Sequence, residues 1–407
     1  MARLVMKFGG TSVADLERLE RVAGRVKAEW DRGHELTVVV SAMAGQTNHL
    51  IDLVSKAAGL ADLREYDVVV SSGEQVTAGL LAIILQRMAV PARSWMGWQI
   101  PIRTSAQHGS ARIEGIDTQE LERRFAEERQ VAIVAGFQGV AEKARIATLG
   151  RGGSDTSAVA LAAALRAERC DIYTDVDGVY TSDPRIVTNA RKMDRITYEE
   201  MLEMASLGAK VLQTRSVELA MKHKVRVQVR SSFEDKSGTL VVDEEEIVEQ
   251  AIVSGIAHSL DEAKVTLTRI PDRPGIAAAI FGPLADAAVN VDMIVQNISL
   301  DGEITDMTFT VGRSDLDRAL SVLERNRETL RYASLEKDAK VAKVSVVGVG
   351  MRSHAGVAQR MFTTLAEKGI NIQVITTSEI KISVLVAEDY LELALRALHS
   401  AYGLDAD

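Results

Sequence analysis

The sequence predicts an α/β protein in two parts. A three-layer αβα domain with a mostly parallel sheet is expected over residues 1–240. Two smaller α+β, ferredoxin-like units follow over 251–338 and 339–407, after a linker at 241–250. Three observations carry this reading. Short β-branched runs alternate with Ala- and Leu-rich stretches up to residue 240, the alternation that builds a sheet covered by helices on both faces. Four consecutive acidic residues, Asp243-Glu-Glu-Glu246, then break the pattern as a solvated linker does. Beyond them lies a repeat: Ala263-Lys264-Val265-Thr266 returns 79 residues on as Ala342-Lys343-Val344-Ser345, and Leu284-Ala285 with Asn290-Val291 returns as Leu365-Ala366 with Asn371-Ile372.

Taken in order, strands are expected at 4–8, 36–41, 68–71, 131–136, 171–174 and 225–229. Each is near-continuously apolar, as a strand buried on both faces should be. Helices are expected at 15–29, 74–87 and 154–166, several of them opened by Ser, Thr or Asp caps. Each copy of the repeat reads strand, glycine turn, helix, strand, strand, helix. The strand-like stretch 251–258 precedes the first copy and is placed to complete the sheet of the second. Gly348-Val-Gly350 begins like a dinucleotide fingerprint but lacks the third glycine, so it reads as a turn of the repeat.

Composition narrows the function. Hydrophobic residues make up 46% of the 407, ample for several cores, while aromatics are only 4%, too few for platforms that stack single-stranded bases. The 48 basic residues against 57 acidic give a net charge of −9, and no Lys/Arg run offers a grip on a phosphate backbone. No nucleic-acid partner is expected. Cys170 is the sole cysteine, which excludes an internal disulfide and a multi-Cys metal centre. The seven histidines form no i,i+4 pair, so no fixed protein cage for a metal is expected. The longest apolar run, 131–137, falls short of the ~18 residues of a membrane span, and the first ten residues do not read as a signal peptide. A cytoplasmic protein without membrane contact is the expectation.

Three polar, glycine-rich turns could carry chemistry. Lys7-Phe8-Gly9-Gly10-Thr11-Ser12 closes the first strand, where backbone N–H groups and the next helix's N-terminus suit an anion, and the lysine reaches the same phosphate. A tight turn with an incidental lysine is the plainer alternative. The lysine precedes the glycines, so this is not a P-loop. Gly150-Arg151-Gly152-Gly153-Ser154-Asp155 opens an Ala-rich helix and gathers a guanidinium and a helix N-terminus, which suits a carboxylate or phosphate. Asp155 there answers a cation (Mg²⁺, Lys7 or an ammonium) or caps the helix. The loop from Thr174-Asp175 through Gly178, Tyr180 and Asp183 to Arg185 offers a ring to cover a base and an arginine for phosphates, or is simply a polar loop. Glu74 stands where ligands of open α/β sheets bind, or is an ordinary helix-start glutamate.

Together with Ser71-Ser-Gly-Glu74 and Gly208-Ala-Lys210-Val-Leu, these motifs resemble the aspartate kinase family over essentially the whole chain, and the repeat resembles its tandem ACT regulatory domains. The resemblance implies an amino-acid kinase fold for residues 1–240. It implies transfer of the ATP γ-phosphoryl group, with Mg²⁺, to the β-carboxylate of L-aspartate, the first step towards lysine, threonine and methionine. Lys7 and Asp155 would be catalytic, with Lys7, Phe8, Gly9, Gly10, Ser41, Thr174, Asp175, Tyr180, Asp183, Arg185 and Lys210 around ATP. Glu74 would hold the substrate ammonium and Arg151 its α-carboxylate, beside Thr47, Gly152, Gly153 and Ser154. Lysine and threonine are the implied feedback inhibitors. Their site would draw on Asp272, Gly275, Ala277, Asn290, Val291, Asp292, Gln296, Asn371, Ile372, Ser378 and Glu379. The resemblance also implies a homo-oligomer, or association with a short regulatory subunit, through the ACT domains. One departure stands out: relatives often carry His-Pro where this chain has Gln213-Thr214. The competing readings are a kinase of the same fold acting on glutamate or a nucleoside monophosphate, and a non-catalytic amino-acid sensor.

Overall fold

The computed structural model describes residues 2–59, 61–207, 211–247, 251–298 and 302–405. Contacts divide these into two compact units. The first runs β1 (Arg3–Phe8), α1 (Leu16–Asp31), β2 (Glu35–Val40), α2 (Gln46–Ala57), α3 (Leu63–Val70), α4 (Ser72–Arg87) and β3 (Ala92–Trp95). It continues through β4 (Ile102–Thr104), β5 (Ile113–Ile116), α5 (Gln119–Glu128), β6 (Val131–Ala135), β7 (Gln138–Val140), β8 (Ile146–Thr148), α6 (Gly153–Ala164) and β9 (Arg169–Thr174). After a segment that packs elsewhere come β10 (Arg195–Thr197), α7 (Tyr198–Ser206), α8 (Thr214–His223), β11 (Val227–Ser231) and β12 (Thr239–Val242).

The main sheet has the order β10-β12-β11-β9-β1-β2-β6-β3, parallel from β11 to β3. A second sheet, β5-β4-β7-β8, lies beyond β3 in the chain. Because β1, β2, β6, β9 and β11 are parallel, their carboxyl ends share one edge, and the loops after Phe8, Val40, Ala135 and Thr174 meet there. The helices follow from local chemistry. Asp15 caps α1 by accepting from the Arg18 N–H at 2.8 Å, and Leu19, Val22, Ala23 and Val26 bury at helical spacing against the sheet. Helix α6 is buried from Gly153 to Ala162, its small residues letting it lie against β1, β2, β9 and α8. The combined stretch Leu63–Arg87 is long and apolar enough to cross a bilayer, yet α4 packs on α1, β3 and β6 as a core helix.

Three expectations need correction. Residues 68–71, read as a strand, fold as the end of α3. Asp62 caps that helix through the Arg64 N–H, and the buried positions Asp67 and Val70 follow a helical period while Val68 faces solvent. The expected linker starts too early: 241–242 belong to β12, and a 3₁₀ turn occupies 244–246. Residues 180–191, read as part of the first domain, pack in the second unit instead. Val187 joins the core formed by Ile256, Met361 and Leu395, the Thr181 hydroxyl lies 2.9 Å from His399 Nε2, and Arg191 donates to the Leu404 carbonyl at 2.8 Å.

The rest of the second unit is two related halves. β13 (Gly255–Ser259) comes first in the chain but pairs in the sheet of the second half, as expected for 251–258. The first half is β14 (Ala263–Pro271), α9 (Ile276–Asp286), β15 (Val291–Ile298), β16 (Ile304–Val311), α10 (Leu316–Arg325), α11 (Arg327–Leu330) and β17 (Ser334–Asp338). The second is β18 (Val341–Val347), α12 (Val357–Glu367), β19 (Val374–Thr377), β20 (Lys381–Ala387) and α13 (Leu391–Ala401). The sheets are β15-β16-β14-β17 and β13-β18-β20-β19. Read from the other edge, the second repeats the first, with β13 in the place of β17. Gly275 and Gly356, both at positive φ, open the equivalent helices α9 and α12. Gly348 and Gly350 press on the backbone of Ala251 and Ile252 as part of this packing, not as a nucleotide turn.

Candidate active site

Lys7, the penultimate residue of β1, carries its ammonium to 2.5 Å from Asp155 Oδ1 in the first turn of α6. Both side chains are largely buried, and Asp155 Oδ1 has no directed hydrogen bond. A buried ion pair of this kind is costly to desolvate, so its place beside a helix N-terminus at the sheet's carboxyl edge points to chemistry more than to stability. Phe8 stacks on Tyr173 at 4.5 Å and fixes the end of the strand. The Gly9 N–H already donates to the Tyr173 carbonyl at 3.3 Å, whereas Gly10 makes no backbone donation among the described residues, so Gly10 is the better placed donor for an anion. The Gly10 position tolerates no side chain comfortably: a Cβ there would lie 3.0 Å from the Ala42 carbonyl.

Glu74 opens α4 and is only 3% exposed. One carboxylate oxygen accepts from the Ala42 N–H at 3.0 Å, and the other is buried with no partner. Burial pushes its pKa up to about 7, against the opposing pull of the Ala42 N–H. An orphaned buried carboxylate oxygen is the feature a substrate ammonium would complete. Arg151, in the turn before α6, is exposed and forms no ion pair among the described residues. Gly153 and Ser154 are buried in the first turn of α6, Ser41 donates its N–H to the Phe8 carbonyl at 3.1 Å, and Thr47 is half-buried at the start of α2.

The expected nucleotide residues divide. Thr174 ends β9 with its hydroxyl 3.0 Å from Asp175, in the first unit. Tyr180, Asp183 and Arg185 belong to the second unit, where Arg185, 87% exposed, pairs with Asp183 at 2.7 Å and holds the Asp183 carboxyl below its usual range. Lys210 lies outside the described residues.

Residues 2–231 match the model of the amino acid kinase family, and 264–328 and 344–402 match ACT domains. An aspartate kinase of Stutzerimonas stutzeri is 57% identical over 407 residues, all of this chain and 98% of that protein. The chain belongs to the aspartate kinase family. Among solved structures, E. coli aspartokinase III in complex with aspartate and ADP, described as the R-state, superposes with a TM-score of 0.78 at 29% identity. That match covers 98% of this chain and 99% of the other. The same enzyme in complex with lysine and aspartate, described as the T-state, matches equally well.

In this aspartate kinase family member the residues expected at an effector site lie mostly on exposed turns. Asp272 and Gly275 sit in the turn before α9 and Ala277 in its first turn, Asn290 and Gln296 flank or lie on β15, and Asn371, Ser378 and Glu379 are exposed around β19. Val291 and Ile372 are partly buried. Asp292 is already engaged: the buried Lys343 ammonium bridges it and Glu262, each at 2.7 Å.

The sequence reading missed the groups that hold the Arg151 turn. Arg215 donates to the Leu149 carbonyl at 2.7 Å and to the Ala111 carbonyl at 2.8 Å. Gln213, noted only as a departure, packs on Gly152, where a Cβ would come within 2.1 Å of its Cγ. Gly152 also has φ +69°, so two penalties meet at one position. Gly152→Ala is expected to lower stability by about 1–3 kcal/mol in denaturant unfolding. Gln213→Ala in that background is expected to relieve only part of the clash, because the residue's own Cβ would still lie 2.6 Å from the new methyl group, and to leave the backbone strain in place.

Proposed function

We propose that this protein transfers the γ-phosphoryl group of ATP to the β-carboxylate of L-aspartate, giving 4-phospho-L-aspartate and ADP. The observation that carries the reading is the buried, half-satisfied Glu74 carboxylate on the same sheet edge as the Lys7–Asp155 pair. Glu74 takes the substrate ammonium and Arg151 its α-carboxylate, which leaves the β-carboxylate to face Lys7. A β-carboxylate is ionised at neutral pH, so the reaction needs no general base. Its oxygen forms the new bond to the γ-phosphorus as the bond to the β-phosphate oxygen breaks, and ADP carries that electron pair away. Alignment and shielding of charge therefore do most of the work. Lys7 meets negative charge on the transferring group, and Gly10 with the α6 N-terminus adds backbone donors. Asp155, a buried carboxylate already paired with Lys7, is the residue that would help hold Mg²⁺ accompanying ATP, and the ion would supply neutralisation of the phosphates.

An assay of ADP release with aspartate, glutamate and UMP as alternative acceptors tests the reading. Turnover with aspartate alone is expected, and turnover with either of the others in its place would overturn it.

Regulation by lysine and threonine through the ACT halves, in a homo-oligomer or with a separate ACT-bearing subunit, belongs to the same proposal. It is supported by the fold of the second unit and by the lysine complex of the E. coli relative. An effector inhibits only by favouring a less active arrangement, with a coupling of about 1–3 kcal/mol. Asp272→Ala and Gln296→Ala are therefore expected to leave uninhibited turnover near normal and to move the inhibition midpoint by about tenfold or more. Unchanged midpoints in both variants would put the effector elsewhere.

A further inference from the structure

We infer that Asp67 is a positioning residue: through Thr148, His108 and Gly109, its buried carboxylate sets the spacing between the two ends of the aspartate clamp, Glu74 and Arg151. The inference rests on the clamp reading above and adds to it how the clamp is held in register.

Asp67 lies on the inner face of α3 with 0% exposure. An aspartate so placed must be well supplied with donors, and this one is. Thr148 Oγ1 donates at 2.5 Å, the Gly109 N–H reaches both carboxylate oxygens at 3.1 Å, and His108 Nδ1 lies at 2.7 Å. Each of these partners belongs to a segment that touches one end of the clamp. Thr148 ends β8 and precedes Arg151 by three residues. Gly109 underlies the Arg151 turn, since a Cβ added at Gly150 would sit 3.3 Å from the Gly109 carbonyl.

The other arm leaves Asp67 along its own helix. Helix α3 runs through Ser71 straight into α4, whose first turn carries Glu74. The joint is rigid: Ser71 is fully buried, its N–H donates to the Asp67 carbonyl at 3.1 Å, and its own carbonyl accepts from Gln138 Nε2 at 2.9 Å. One carboxylate thus ties the strand leading to the guanidinium to the helix leading to the ammonium partner. A rigid amino acid held at both ends is sensitive to that spacing, because displacements near 1 Å can cost about 10²-fold in rate or affinity.

The test is a kinetic set with aspartate and ATP varied separately. Thr148→Val removes the donor and keeps the shape, and it is expected to raise the aspartate KM by about tenfold while leaving the ATP KM within about twofold. Thr148→Ser, which keeps the hydroxyl, is expected to restore the wild-type value. If Thr148→Val does not fold, Asp67→Asn carries the same expectation. Arg151→Lys serves as the reference for the clamp itself, and Thr148→Val in that background is expected to add less than it does alone, since it acts through Arg151. An aspartate KM unmoved by Thr148→Val but raised by Arg151→Lys would overturn the positioning role and leave the clamp standing. An aspartate KM unmoved by Arg151→Lys would overturn the clamp and the positioning role with it. Equal rises in both substrates' KM would reduce Asp67 to general structural support and also overturn the inference.

Discussion

Lys7→Ala is expected to lower kcat by about 10²–10³-fold while changing the aspartate KM only modestly. The ammonium stands at the end of β1, against Asp155 and beside the α6 N-terminus, where charge gathers on the transferring phosphoryl group. Its contribution is greatest in the transition state, so its loss falls on kcat more than on binding. The same change strands the buried Asp155 carboxylate, and breaking a buried ion pair commonly costs about 3–5 kcal/mol of stability. The two consequences can be separated. Asp155→Asn added to Lys7→Ala is expected to recover stability, read by thermal unfolding, without recovering turnover. Recovery of both would make the pair a structural element only.

The second large effect concerns pH. Burial raises the Glu74 carboxyl to about 7, so the free enzyme holds it largely protonated in mildly acid solution. Only the ionised form pairs with a substrate ammonium. The aspartate KM is therefore expected to fall about tenfold as pH rises from one unit below that value to well above it, with a proton released on binding below about pH 7. The sign for stability runs the other way. A carboxyl whose folded pKa lies above its unfolded one is proton-rich in the native state, so the ligand-free protein loses stability as pH climbs from about 4.5 through 7. Glu74→Gln is expected to raise the aspartate KM at pH 8, to flatten its pH dependence, and to remove that share of the stability loss. A variant that kept the wild-type KM profile would take Glu74 out of the substrate site.

How far the sequence reached depended on the range of each interaction. Five strands of the main sheet, β1, β2, β6, β9 and β11, were legible because their apolar runs are short and buried on both faces, whereas the short strands β3, β10 and β12 went unread. Residues 68–71 misled for the same reason: three valines in a row fit a buried strand, yet here they spread round a helix with Val70 buried and Val68 exposed. What decides for helix is the Asp62 cap together with the need to bury Asp67 against partners on other elements, and those partners do not show in a local window. The Lys7, Glu74 and Arg151–Asp155 motifs were readable because their glycines and charges lie in contiguous turns. Asp67, His108, Thr148 and Arg215 were not, since they come from separate elements and acquire meaning only when α3, β8 and α8 pack together. An aspartate set inside an apolar run, Asp67-Val-Val-Val70, was the one signal available. The nucleotide loop shows the converse limit. Its motif is continuous through Arg185, yet the structure gives its latter part to the second unit, where Val187 packs with Ile256, Met361 and Leu395 and Thr181 meets His399, all far along the chain.

The most direct measurement of the central claim traps the product with hydroxylamine after incubation with ATP and L-aspartate. Glu74 and Arg151 hold the ammonium and α-carboxylate in this account, so only the β-carboxylate is presented to Lys7 and the phosphate. The expected product is the β-hydroxamate of aspartate, formed in step with ADP. An α-hydroxamate, or ADP release with no aspartyl hydroxamate, would contradict the clamp and the reaction assigned to it.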